Sequence, residues 1–277
     1  MNFKESLKKY TRLVAVVRKI RLLKKLNWRK TLIINFKTQP LDVAIKLPIL
    51  VYGKLQILDL SGKIILDQTI KTGIIRFGFN TDRFSASKGS AILNISGELT
   101  FRGPSIFSVD CCLDVSGVCV IGRCVSFGNS VKLRCWDRII IGDYSRIVVE
   151  TQIFDSNFHY LRNIETGQIE RKGKEIIIGD FCWIGNRSTI MKGTRIPNRT
   201  IVASNSLLNK DYSVNSPNCP VIAGIPAKII NSSLVRIFSY EKEKEIDNYF
   251  SNNQELYYFG PKGIIDESDE IERNFIN

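Results

Sequence analysis

From Ile178 to Leu208 the chain sets a branched apolar residue at every sixth position: Ile178, Ile184, Ile190, Ile196, Val202 and Leu208. Four places after each of the first five stands a small residue: Cys182, Ser188, Thr194, Thr200 and Ser206. An amphipathic helix would repeat its apolar face at three and four, and an isolated strand at two. A fixed short period marks a solenoid, in which each repeat buries its apolar face only by stacking on its neighbours. The same beat runs through Val109, Val115, Ile121, Phe127 and Leu133, with Cys119, Val125 and Val131 at the small positions. It slips by two around Trp136–Asp137 and resumes at Ile141, Ile147 and Ile153, with Ser145 and Thr151. The pattern predicts short strands on which the small residue at i−2 and the large one at i both point inward. Three such strands closing a narrow prism would be overfilled by large residues at both positions. Gly follows the apolar residue at Gly122, Gly128, Gly142, Gly179 and Gly185, where it is expected to supply an unusual φ/ψ at the turn.

The flanks read differently. Residues 1–38 form a basic amphipathic helical segment: its first 30 residues lack Gly and Pro, and Leu13, Val16, Val17, Ile20 and Leu23 make a stripe at helical spacing. Residues 39–108 are β-rich, with branched runs broken by Gly and Asp, and are expected to cap the solenoid because terminal repeats must be atypical. Residues 109–230 hold the clear ladder, interrupted at 154–177, and residues 231–277 read as a helix (EKEKEIDNYF) followed by a mobile acidic tail.

Charge changes the picture at the ends. Of the net charge of +13, residues 1–37 contribute twelve Lys and Arg against one Glu, while residues 231–277 hold five basic and ten acidic residues. A basic amphipathic helix with a Trp near its end suits an anionic membrane surface, the alternative being a helix that packs its stripe on the protein. Nucleic acid is not an expected partner, since no aromatic interleaving or binding fold accompanies the charge. Seven cysteines without a CxxC pair suggest a reduced, cytoplasmic protein, and no apolar run approaches a membrane span or a signal sequence.

The break in the ladder is where chemistry is expected. The polar stretch between Ile153 and Ile178 is too long for a turn, so it should protrude as a loop. It contains His159, the only histidine of the 277 residues. A lone histidine is more often structural than catalytic, but this one sits where a rung ends and a groove would begin. Neutral imidazole is suited to taking a proton near pH 7. Asp155, four residues earlier, reads either as a partner of that imidazole or of a substrate, or as a turn-forming cap.

The ladder resembles the hexapeptide-repeat acyltransferases, in which an aliphatic residue is followed by Gly and then a small residue. The resemblance implies a left-handed parallel β-helix, an exception to the right-handed crossover rule. DSNFH followed by IIIGDFCWIG is similar to the active-site region of the sugar O-acetyltransferases of this family, the maltose and the capsular or exopolysaccharide enzymes among them. It implies acetyl-CoA as co-substrate, a sugar or glycan acceptor, His159 as general base and a homotrimer. It further implies a coenzyme A channel near Trp183 and Gly185, with Ala203 and Ser204 beside the pantetheine arm. Lys210 of Lys210–Asp211 and Lys228 of Gly224-Ile225-Pro226-Ala227-Lys228 would face the phosphates. Three positions depart from the pattern: Tyr160 where relatives often have Pro, Asn205 for a Gly, and Pro197 for a Gly. Pro197 should therefore lie at a corner, where its missing N–H breaks no ladder bond.

Direct attack by the acceptor needs no cysteine nucleophile and no metal. A zinc hydratase on this fold would take three histidine ligands, which one histidine excludes. Amino-sugar or serine acetylation and a silent β-helix scaffold stay open as alternatives.

Overall fold

A computed structural model describes residues 23–79, 89–258 and 263–276. Its core is a parallel β-helix of three sheets. One sheet has nine strands in the order β1-β4-β7-β10-β13-β16-β19-β21-β22, the second seven (β2-β5-β8-β11-β14-β17-β20) and the third six (β18-β15-β12-β9-β6-β3). The chain visits the sheets in rotation, so β14 (Gln152–Phe154) of the seven-stranded sheet leads through the interruption to β15 (Ile176–Ile178) of the six-stranded one. It then passes to β16 (Trp183–Ile184) of the nine-stranded sheet and β17 (Thr189–Met191) of the seven-stranded one.

The beat from Ile178 to Leu208 lies wholly inside, the large residues and the small ones alike buried. Large side chains stack from coil to coil: Phe77 on Phe107 at 4.7 Å and Phe107 on Phe127 at 4.4 Å between ring centroids, with Ile147, Ile184 and Val202 continuing the column by register. Each such residue contributes about 1.5–3 kcal/mol of apolar burial.

The helix starts well before Val109. Strand β1 (Ile49–Val51) pairs with β4 (Ile75–Phe77), β4 with β7 (Ser105–Phe107), and β2 (Leu55–Leu60) with β5 (Ala91–Ile95), all in parallel, so 49–107 form coils and not a separate cap. These coils escape a six-residue count because cross-coil partners before the interruption are 20 apart, as in Asn94–Asp114 and Arg134–Asp114, against 18 after it, as in Asp180–Asn198. The two additional residues sit at the corner between the seven- and six-stranded sheets, so the slip at Trp136–Asp137 recurs in every longer coil. The same offset displaces the frame at its start: Leu113, aligned with Leu93 and Leu133, is the large inward position, while Val109 is half-buried in a turn.

The glycines after the apolar residues do not carry positive φ. A Cβ on Gly142 would stand 2.6 Å from the backbone of Asp180 and Gly179, and one on Gly122 as close to Asp143 and Gly142. Glycine is needed there because adjacent coils touch, not because the turn is left-handed. The left-handed position falls two residues later on Cys124, Tyr144, Phe181 and Arg199, with φ of 53°, 60°, 54° and 58°. Each of the last three is held by an N–H bond to the previous coil, from Tyr144 to Arg123, Phe181 to Asp143 and Arg199 to Asp180. Such bonds offset the 1–3 kcal/mol cost typical of that conformation. Asn205 occupies the equivalent place on another corner with φ 57°, which asparagine tolerates, so its substitution for Gly leaves the turn intact. Pro197 follows β18 (Arg195–Ile196), the edge of its sheet, where no next coil waits for the missing N–H.

Helix α1 (Trp28–Thr38) and the single turn α2 (Leu41–Ala44) close one end; the expected stripe from Leu13 to Ile20 lies outside the described residues. At the other terminus, α3 (Tyr240–Phe250) is followed by α4 (Ser268–Ile276) where a mobile tail was expected. Ile271 and Phe275 of α4 are buried with Ile106, Cys124 and Tyr144, and the Tyr144 hydroxyl donates to Glu272 at 2.6 Å. The left-handed turns push those side chains outward, and α4 covers them.

Candidate active site

The interruption between β14 and β15 is a hairpin arm. Its base is tied by the N–H of Asn157 to Lys172 (3.1 Å) and of Lys174 to Asp155 (2.9 Å), and its tip by Asn163, whose side chain caps the N–H groups of Glu165 and Thr166. The first limb alternates like any extended strand. Asn157, His159 and Leu161 face a cavity of about 270 Å³, whereas Phe158 faces a second of about 250 Å³ on the other side, with Trp136 and Arg134. The Arg134 guanidinium lies 4.3 Å from the Phe158 ring centroid and fixes that limb to the coil beneath.

The His159 cavity is rich in cations. Arg162, Arg171, Lys172 and Lys192 line it against one carboxylate, Glu170. Lys172 is pinned over Trp136 at 3.5 Å, Lys192 donates to the Arg171 carbonyl at 3.3 Å, and Arg171 reaches Asp137 at 3.4 Å. His159 is exposed, and no side chain of the described residues bonds its ring. The site thus offers a solvent-facing imidazole and a positive field, a combination suited to deprotonating a hydroxyl on a molecule that carries negative charge.

Asp155 is not part of this surface. It is fully buried, and its two carboxylate oxygens accept from the N–H groups of Trp136 (2.7 Å) and Asp137 (2.8 Å). Burial pushes its carboxyl above the ordinary value while those N–H groups act in the opposite direction. No hydrogen bond joins it to His159. The position four residues before the histidine belongs instead to the inward face of the corner, where an acid is needed to satisfy two amides left over by the longer coil.

The remaining expected residues fall on other parts of the prism. Gly185, Ala203 and Ser204 come together at the corner between the nine- and seven-stranded sheets, a Cβ on Gly185 lying 2.7 Å from the Ser204 nitrogen. Ser204 and Asn186 are joined there by a side-chain hydrogen bond. Trp183 is 37 % exposed on the nine-stranded sheet, its ring 5.2 Å from the Arg236 guanidinium of the C-terminal segment. Lys228, on β22 (Ala227–Asn231), lies three strands away in the same sheet, about 14 Å at ordinary strand spacing. Lys210 is on the His159 edge, its ammonium 5.3 Å from the Tyr212 ring. A single chain therefore brings Gly185, Ala203 and Ser204 together but leaves them on a different edge from His159.

Comparison with known proteins bears on the fold. No family model matches the chain. Over 122 residues it is 28 % identical to WbbJ of Escherichia coli K12, named for O-acetyl transfer in lipopolysaccharide biosynthesis; the match covers 41 % of this chain and 60 % of that relative. The crystal structure of NeuO, a polySia-specific acetyltransferase, superposes with a TM-score of 0.51 at 18 % identity over 77 % of this chain and 91 % of its own. The chain carries the left-handed β-helix of the hexapeptide-repeat acyltransferases. The hexapeptide count alone did not single out Arg162, Lys172, Lys192 or Trp136 around the histidine. Their signals were the Arg-Lys-Gly-Lys run at 171–174 and the slip at Trp136, which marks the corner where the arm is inserted.

Proposed function

We propose that the protein is an acetyl-CoA-dependent O-acetyltransferase acting on a hydroxyl of an acidic sugar or glycan, of the kind built into capsules, exopolysaccharides or lipopolysaccharides. The observation that carries this reading is His159: the single histidine stands exposed on the arm that breaks the β-helix and faces a cavity with Arg162, Arg171, Lys172 and Lys192. His159 takes the proton from the acceptor hydroxyl as its oxygen attacks the thioester carbonyl of acetyl-CoA. Collapse of the tetrahedral adduct breaks the carbon–sulfur bond, and the imidazolium returns its proton to the departing sulfur. The products are the acetyl ester and free CoA, with no acyl-enzyme.

The cysteines support a direct path: burial pushes the thiols of Cys111, Cys124 and Cys182 up to about 12, which leaves them inert as nucleophiles near neutral pH. The cations would hold the acceptor's carboxylate or phosphate while its hydroxyl meets the imidazole. The donor would lie along Trp183, Gly185, Ala203 and Ser204, with Lys210 and Lys228 toward its phosphates. Because those groups lie on other edges of the prism, a neighbouring copy would supply them to His159, as in a homotrimer.

The test is to incubate the protein with acetyl-CoA and a panel of acidic and neutral glycans, following CoA release and locating the ester by mass spectrometry. Acetylation of an acidic member, absent with His159→Ala, is expected. Undiminished acetylation of the same glycan by His159→Ala would overturn the reading.

A further inference from the structure

Helix α1 is built inside out. Its buried face is largely polar: Thr31 and Asn35 are fully buried beside Ile34. The Asn35 side chain donates to the Ile49 carbonyl at 2.7 Å and accepts from the Ile49 N–H at 3.1 Å, and the Thr31 hydroxyl accepts from Val51 at 3.1 Å. These bonds serve β1, the edge strand of the nine-stranded sheet, whose free backbone groups would otherwise invite pairing. The apolar residues are turned outward instead. Trp28, Leu32 and Phe36, at i, i+4 and i+8, are 49 %, 44 % and 49 % exposed, with Ile33 beside them and Leu41 and Ile45 exposed just beyond.

This apolar face is flanked by one sign of charge. From Leu23 to Lys46 the chain has Lys24, Lys25, Arg29, Lys30, Lys37 and Lys46 against the single acid Asp42. Among the described residues no ion pair joins Lys24, Lys25, Arg29, Lys30 or Lys46 to a carboxylate. We propose that the outward face of α1 docks on an anionic lipid surface, with Trp28, Leu32 and Phe36 entering the headgroup boundary and the cations meeting lipid phosphates. Aromatic and aliphatic side chains on one helix face, rimmed by Lys and Arg, are the chemistry an interfacial helix uses. Charge complementarity selects this occupant over a second copy of the chain, because two such faces would bring like charges together. The inference concerns the capped end of the β-helix and does not depend on the reaction at His159.

Co-sedimentation of the full chain with vesicles tests it. Binding is expected to phosphatidylcholine vesicles containing phosphatidylglycerol, not to phosphatidylcholine alone, and to weaken as salt is raised. Leu32→Gln combined with Phe36→Gln, both exposed and so compatible with folding, should lower the bound fraction about tenfold or more. Circular dichroism and melting confirm that the variant is folded, and Lys25→Gln with Arg29→Gln should reduce binding to the anionic vesicles only. The proposal is overturned if the wild type ignores anionic vesicles or if the Leu32/Phe36 variant binds them as the wild type does. It is overturned equally if the substitutions dissolve a concentration-dependent oligomer without any vesicle binding, which would make the face a contact between copies.

Discussion

Replacing Asp155 by Asn keeps the size of the side chain and removes its charge. In the wild type the two oxygens accept from Trp136 and Asp137 at 2.7 and 2.8 Å in a fully buried corner. Asn offers one oxygen and turns an NH₂ toward the second N–H, so one buried donor loses its partner and faces another donor. An orphaned buried donor costs about 1–3 kcal/mol, and relief of the buried charge returns part of it. The expected loss is about 2 kcal/mol for Asp155→Asn and about 4 kcal/mol for Asp155→Ala, which strands both amides. With an unfolding entropy near 2.1 cal/mol/K per residue, a chain of this length loses roughly 3–4 °C and 7 °C in Tm. Calorimetry reads the shift, and CoA release at 25 °C reads function. Because Asp155 anchors the base of the arm without touching His159, kcat of the Asn variant should stay within about fivefold of the wild type with the same pH profile. An Asn variant with wild-type Tm but a loss of about a hundredfold or more and an altered pH profile would refute this, and would return Asp155 to the reaction.

Three further outcomes follow from the same geometry. Gly142→Ala should cost about 3 kcal/mol in a melting experiment, since its Cβ meets backbone of Asp180 and Gly179 at 2.6 Å and neither can yield without parting two coils. Iodoacetamide at neutral pH should leave Cys111, Cys124 and Cys182 unmodified by mass spectrometry and CoA release unchanged, their thiols being held near 12 by burial; activity lost in step with alkylation of any of them would contradict the direct mechanism. Arg162→Gln with Lys172→Gln should raise KM for an acidic acceptor about tenfold and affect KM for acetyl-CoA little, because both cations line the His159 cavity and neither is near Trp183 or Gly185.

The interior of the β-helix was legible wherever coils are 18 residues long, because a coil of three sixes keeps one phase: Ile178 through Leu208 all lie inside with their small partners. It was less legible where coils run to 20, because two residues added at one corner shift the phase each turn and hide the coils from Ile49 to Phe107. The glycines were visible, but a one-dimensional spacing cannot distinguish a turn needing positive φ from a place where the next coil leaves no room for a Cβ. His159 was legible for a simpler reason, an interruption in a strict repeat. Asp155 was misassigned because nearness in sequence to the histidine placed it in the site, while the alternation along β14 carries it inward. The cations on the second limb and Lys192 could be gathered around His159 only once the arm was folded back on the corner.

The account rests on proton removal by His159. The most direct measurement compares CoA release by the wild type and by His159→Ala, folded to the same Tm, with acetyl-CoA and the acidic glycan on which the wild type acts. Loss of a general base of this kind should lower kcat by about 10² to 10⁴ while leaving KM for acetyl-CoA within a few-fold. A His159→Ala enzyme that releases CoA at the wild-type rate and still esterifies that glycan would contradict it.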